Sequence, residues 1–167
     1  MAEMLFFYGG VFSQWHPCSF TNWRGGTFNC AEQYMMWSKA KLFGDDTTAS
    51  RIMKARHPRE QKALGRAVRY FDEATWAGCA KGIVRQGNLY KFSQNRAEYD
   101  ELMASAPKLL VEASPTDKIW GIGLAEDDPA RFERGKWRGT NWLGEAITQV
   151  RDGEALAALA KENGWLK

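Results

Sequence analysis

The spacing of apolar and polar residues along the chain predicts a series of helices. Three breaks delimit them: Gly44 follows the first helical run, Pro58 suits a first helical position because proline lacks an N–H, and Pro107 ends another run. A bend is expected near Gly153. The predicted helices span residues 30–43, 48–55, 58–68, 72–94, 97–106 and 142–164.

Short apolar and β-branched runs predict a few strands between these helices. The segments are LFFYGGVFS (5–13), a hairpin in CSFTNWRGGTF (18–28), and KLLVEAS (108–114) joined to KIWGIGL (118–124) by a turn at Ser114-Pro115. The polar stretch EDDPARFERGKWRGTN (126–141) predicts a surface loop. We therefore expect a mainly helical α+β fold, with residues 1–167 forming one domain around a small β-sheet.

Charge and cysteine content narrow the classes of function. The net charge is +3, from 23 basic and 20 acidic residues without a block of five like charges, so no basic stripe for nucleic acid is evident. Three cysteines lack a CxxC spacing, and neither a metal cluster nor a dinucleotide motif occurs, so we expect no cofactor. The chain begins without an apolar leader and has no long apolar run, which favours a soluble, cytoplasmic protein without membrane attachment.

The segment NCAEQYMMWSKAKLFGDD (29–46) places a carboxylate and an amine on one face of the first helix. Seven residues make almost two turns, so Lys39 lies within roughly 20° of Glu32 around the axis and about 10 Å along it. Met36 shares this face, whereas Lys41 points to the opposite side. An apolar surrounding would favour the neutral amine that a reactive lysine requires.

A structural interpretation of the same residues stays open. Asn29 followed three residues later by Glu32 has the spacing of a capping box, in which the glutamate binds the N–H of the cap residue. Lys39 can extend its ammonium to solvent along apolar surface. Spacing alone does not choose between a capped helix and a reactive pair.

Several separated motifs resemble the YbiA-like NADAR family over nearly the whole chain. They are TFNCAEQYMMWSKAKLFGDD (27–46), LGR (64–66), Trp76, YKFSQN (90–95), LLVEASPTDKIWGIGL (109–124) and NWLGEAI (141–147). The resemblance implies an N-glycosidase that cleaves ribose C1′ from an exocyclic amine, in ribosylaminopyrimidine intermediates of riboflavin synthesis or in ADP-ribosylated guanine. Free nucleotide or nucleic acid would then be the substrate, and no obligate protein partner is expected.

The resemblance also implies roles for individual residues. Lys39 would form the Schiff base with C1′, and Glu32 would carry protons, with Asp117 assisting or holding ribose hydroxyls. The expected substrate-binding residues are Trp76, Trp120, Gly121, Asn141, Gly144 and Arg66. Among these, the NWLG start of the last helical region would hold a phosphate through backbone N–H groups, and Arg66 through its planar guanidinium.

Each implied role has a structural alternative. The tryptophans can belong to the core, Asp117 can stabilise a turn, Asn141 can cap a helix, and Arg66 can be solvated. The chain also departs from the riboflavin-intermediate members of the family in SKAKLFGDD and in the 120–141 loop, which the resemblance places beside the leaving group. A binding module for ADP-ribose or nucleotides without turnover is the alternative function.

Overall fold

The computed structural model describes residues 3–166 and confirms a mainly helical α+β fold. The strands are β1 (Met4–Phe7), β2 (Phe20–Thr21), β3 (Thr27–Phe28) and β4 (Leu109–Glu112). The helices are α1 (Ala31–Leu42), α2 (Asp46–Lys54), α3 (Pro58–Arg66), α4 (Glu73–Gln94), α5 (Arg96–Ala104), α6 (Trp142–Asp152) and α7 (Glu154–Glu162). Two 3-10 turns, Pro129–Phe132 and Arg134–Lys136, lie in the predicted loop.

The chain divides into two compact units, and the first of them is made by residues 14–95. Helix α1 packs against α2, α3 and α4. Phe20 and Phe28 of the β2–β3 hairpin form a buried aromatic cluster with Tyr34 of α1 and Tyr90 of α4. Gly65 lets α3 approach α1 closely, since a Cβ there would lie 1.9 Å from Met36 Sδ. This packing leaves α1 mostly buried.

Residues 3–13 and 96–166 form the second unit. Strands β1 and β4 pair in parallel, and α6 packs on β4. Val111, Ile122 and Leu124 form its buried cluster. The predicted hairpin and the bend at Gly153 are confirmed, but the single sheet is replaced by two separate two-stranded sheets among the described residues. The single domain over 1–167 stays a prediction.

One predicted strand is wrong. Residues 118–124 have no strand structure, and β4 pairs with β1 instead. The Asp117 carboxylate accepts hydrogen bonds from the backbone N–H of Ile119 and Trp120, which bends the chain at this point. Gly123, with a φ of 69°, then keeps the segment from extending. Ile122 and Leu124 of this segment are buried without forming a ladder.

Candidate active site

The start of α1 is fixed by glutamine rather than by glutamate. The Asn29 backbone N–H donates to Gln33 Oε1 at 2.8 Å, and Gln33 Nε2 donates to the carbonyl of Ile52 at 3.1 Å. The capping role considered for the Glu32 carboxylate is thus filled by Gln33, and Cys30 is the N-cap residue. Glu32 is nevertheless only 6 % exposed, and its own backbone N–H donates to the carbonyl of Gln14.

Lys39 is half-buried near the other end of α1. Its Nζ lies 4.6 Å from the ring centroid of Phe71 and 5.4 Å from that of Trp76. Burial lowers the pKa of Lys39 below its usual value, Glu32 opposes this shift, and Arg66 adds to it. The two ring faces attract an ammonium and temper the lowering. The Lys39 pKa is lowered overall, which favours the neutral amine.

Lys41 provides the contrast on the same helix. It is exposed, and its Nζ donates to Asp46 Oδ1 at 2.5 Å. The prediction that the two lysines face different surroundings is confirmed. Lys41 is therefore an ordinary surface cation, and its exposed ion pair with Asp46 contributes little to the free energy of unfolding.

Two further predicted residues lie around the Lys39 amine. Trp76, in the first turn of α4, is half-buried and presents its ring to the amine. Arg66 ends α3 and is exposed, but it is close enough for its charge to lower the Lys39 pKa. Glu32, Lys39, Arg66 and Trp76 are thus brought together by α1, α3 and α4. The arrangement offers an amine nucleophile, a buried carboxyl group, an aromatic wall and an exposed guanidinium.

In the second unit, Asp117, Trp120 and Gly121 form a compact turn. Asp117 Oδ1 accepts hydrogen bonds from the N–H of Ile119 at 2.9 Å and of Trp120 at 2.8 Å. The Trp120 ring meets that of Trp142 edge to face, with centroids 5.7 Å apart. Gly121 is buried, and a Cβ there would lie 2.9 Å from Ser114 Cβ. These contacts give all three a structural role, and their participation in a substrate site stays a prediction.

Three backbone N–H groups at the start of α6 donate within the fold, and a substrate-binding role of Asn141 and Gly144 stays a prediction. The backbone N–H groups of residues 141, 142 and 143 donate to the carbonyls of residues 121, 119 and 120, so these three are not open to a phosphate. The Asn141 side chain instead accepts from the N–H of Glu112 at 2.9 Å and donates to the carbonyl of Leu110 at 3.0 Å. A Cβ on Gly144 would lie 2.1 Å from the Leu110 oxygen. Both residues serve to join α6 to β4.

Sequence reasoning missed two residues at the candidate site. Two rings face the Lys39 amine, and Phe71 is the nearer of them. Asp45 is a fully buried carboxylate that accepts a hydrogen bond from the linker carrying Phe71. The available signal was RYFD (69–72), in which two aromatics stand in a polar link between helices. Only tertiary packing brings this link back to the end of α1.

The fold, with a half-buried lysine and a buried glutamate on one helix, has relatives among known proteins. The NADAR domain matches residues 6–153, so the chain belongs to the NADAR family. N-glycosidase R617 of Acanthamoeba polyphaga mimivirus is 41 % identical over 146 residues, which are 85 % of this chain and 86 % of that one.

Two other comparisons give a second relative and a solved structure with the same fold. Protein irg-1 of Caenorhabditis elegans is 44 % identical over 127 residues, which cover 75 % of this chain and 60 % of that protein. The NMR structure of the E. coli protein YbiA has a TM-score of 0.74 and 24 % identity, covering 99 % of this chain and 90 % of that chain. This likeness shows the fold.

The names of the relatives define the class of enzyme. R617, a Nostoc punctiforme protein and YbiA are each called N-glycosidase. The chain is accordingly a hydrolase that acts on N-glycosyl compounds. Within residues 3–166, the structure contains no helix of the length and hydrophobicity needed to span a bilayer.

Proposed function

We propose that this protein hydrolyses the bond between ribose C1′ and an exocyclic amine of a base, with Lys39 as nucleophile and Glu32 as acid and base. The observation that carries the proposal is the half-buried Lys39 amine, whose pKa is lowered by burial. The buried Glu32 is close enough for its charge to oppose part of this shift, so the two groups interact. An amine and a carboxyl group together are what Schiff-base chemistry requires.

The first half of the reaction forms a covalent intermediate. The exocyclic nitrogen bears an N–H, so its lone pair can form C1′=N as the C1′–O4′ bond breaks and O4′ takes a proton from Glu32. The neutral Lys39 amine then adds to C1′. After proton transfer to the exocyclic nitrogen, the base leaves as a free amine, and C1′ remains bound to Lys39 as an imine.

The second half returns the enzyme to its starting state. Glu32, now a carboxylate, takes a proton from water as the oxygen adds to C1′. The proton of the new hydroxyl group passes to Nζ, the C1′–Nζ bond breaks, and Lys39 leaves as the amine. The sugar is released as an aldehyde that closes to ribose. Overall, one water is consumed and one free base and one ribose are formed, so no redox partner is needed.

The substrates that fit this chemistry are ADP-ribosylated guanine and ribosylaminopyrimidine phosphates. R617 and YbiA carry N-glycosidase names, and a Vibrio vulnificus relative is called a riboflavin biosynthesis protein. Arg66 is the proposed partner for a substrate phosphate, because its exposed fork lies near the Lys39 amine. The three free cysteines fit the reducing cytoplasm that we propose as the location.

The test measures release of free base from both substrates by chromatography. Borohydride added during turnover should reduce the imine and leave the sugar attached to Lys39, which peptide mass spectrometry would locate. Lys39→Met and Glu32→Gln should each abolish release. The matched control is Lys41→Met, because it makes the same substitution on the exposed side of the same helix.

Two results would contradict the proposal. Full activity in Lys39→Met protein would exclude the imine route. Calorimetric binding of ADP-ribose by a wild-type protein that hydrolyses neither substrate would favour the binding module instead.

A further inference from the structure

The linker between α3 and α4 carries two exposed aromatic side chains. Tyr70 is 72 % and Phe71 is 46 % exposed. Tyr70 also has a φ of 63°, in the left-handed region where a bulky residue is strained. Strained backbone and exposed apolar surface are both concentrated at binding sites. The linker therefore has features that a simple helix connection does not require.

Carboxylates hold this linker at both ends. The buried Asp45 carboxylate accepts hydrogen bonds from the Arg69 backbone N–H at 2.9 Å and from Arg69 Nη2 at 3.2 Å. Chiefly because of that backbone N–H, the pKa of Asp45 is held well below its usual range, so the carboxylate is charged at neutral pH. At the other end, Asp72 accepts from the Thr75 backbone N–H at 2.8 Å and caps α4. The backbone on either side of Phe71 is thus fixed.

These anchors place Phe71 between the half-buried Phe43 and the Lys39 amine. Its ring packs edge to face on Phe43, with centroids 5.4 Å apart, and its centroid lies 4.6 Å from Lys39 Nζ. Trp76 presents a second ring to the same amine at 5.4 Å. The Phe71 ring therefore contacts Phe43, lies close to the Lys39 amine, and leaves part of its apolar surface exposed to solvent.

We propose that Phe71 is a substrate-binding residue whose ring packs against the planar base of the N-riboside. The inference deepens the proposed function and takes from it the role of Lys39. In such a substrate the base is joined to C1′ through one nitrogen, so any group that attacks C1′ has the base within a few ångströms. A ring 4.6 Å from the Lys39 amine lies at that distance.

This role also accounts for the exposed apolar surface of the Phe71 ring. Packing a base on the open part of Phe71 removes apolar surface of both partners from water. An aromatic face accepts purines and pyrimidines alike, because every base has a π-face. Phe71 would then select for a flat leaving group rather than for one particular base.

The experiment separates binding from turnover by using Lys39→Met protein. ADP-ribosylguanosine and a ribosylaminopyrimidine phosphate are titrated by calorimetry, with ADP-ribose and ribose 5-phosphate as their counterparts without the base. Loss of a stacked ring weakens base binding by roughly 5- to 150-fold. Adding Phe71→Leu to the Lys39→Met protein should weaken binding of each ligand that carries the base by this factor. The affinity for the counterpart without the base should not change.

Two further variants test whether the aromatic ring itself is responsible. Phe71→Tyr keeps the ring and should retain the affinity. Trp23→Leu removes another exposed aromatic of the same unit, 71 % exposed and in edge contact with Tyr90, and should have no effect. Affinity in the Phe71→Leu protein within twofold of its parent would overturn the inference, as would an equal loss for the ligand that lacks the base.

Hydrolysis by protein with Lys39 intact is measured separately, so that the two proposals fail independently. Binding that depends on Phe71 without hydrolysis would refute the proposed function and support the base-binding role. Hydrolysis with unchanged KM and kcat in Phe71→Leu protein would support the proposed function and refute the base-binding role. Absence of both binding and hydrolysis would overturn both.

Discussion

The approach of α3 to α1 at Gly65 predicts that one added methyl group is harmful at this position. A Cβ at residue 65 would lie 1.9 Å from Met36 Sδ and 2.9 Å from Met36 Cγ. Met36 is only 6 % exposed, so its side chain has little room to move away. It also lies on the face of α1 that carries Glu32 and Lys39, so a shift of Met36 would disturb the candidate site.

The size of the effect follows from two opposing terms. The nearest contact is about 1.5 Å shorter than ordinary van der Waals separation, and overpacking of this kind costs about 1–3 kcal/mol. Replacing glycine by alanine in a helix returns about 0.5–1 kcal/mol. Gly65→Ala should therefore lower the free energy of unfolding by roughly 0–2.5 kcal/mol, or the Tm by roughly 0–10 °C.

Urea and thermal unfolding would measure this difference against a matched control. Gly78→Ala makes the same change inside α4, where an added Cβ meets nothing within 4 Å, so it should raise stability by about 0.5–1 kcal/mol. Combining Gly65→Ala with Met36→Ala should remove the clash and its cost. Equal stability of the Gly65→Ala and Gly78→Ala proteins would refute the reasoning.

Three further predictions concern titrating groups. Because burial lowers the pKa of Lys39 and only its neutral amine attacks, kcat/KM should rise with pH with a midpoint below 10.5; a profile independent of pH would contradict this. The pKa of Asp45 is lowered from 3.8, so its stabilising effect is complete above that value and is lost below it. The difference in unfolding free energy between wild type and Asp45→Asn, measured in urea, should shrink as pH falls below about 4. Burial raises the pKa of Cys30 to about 11, so a thiol reagent should label Cys18 and Cys79 in native protein and Cys30 only after denaturation.

The parts of the fold that depend on local pattern were predictable. The helical period separated Lys39 from Lys41, and the structure places one beside aromatic rings and the other on Asp46 in solvent. Terminal signals were similarly reliable, because Pro58 and Gly44 have conformations that local chemistry dictates. Prediction succeeded where the cause lies within one turn of the chain.

The parts that failed depend on partners distant in sequence. Residues 118–124 have the composition of a strand, but β4 pairs with β1, and the Asp117 turn directs the segment elsewhere. Phe71 approaches Lys39 only because Asp45, just after α1, binds the backbone of Arg69. No spacing rule relates residues 24 or 32 positions apart, so this part of the candidate site needed the folded chain.

The hydrogen bond between Asn29 and Gln33 has a practical consequence for the residue between them. Gln33, and not the neighbouring carboxylate, accepts the Asn29 backbone N–H and ties the start of α1 to the carbonyl of Ile52. The catalytic role that we propose for Glu32 and the hydrogen bond made by Gln33 thus fall on adjacent side chains, so Glu32→Gln should leave this helix start intact. A folded, inactive Glu32→Gln protein would be suited to trapping an intact substrate for crystallography.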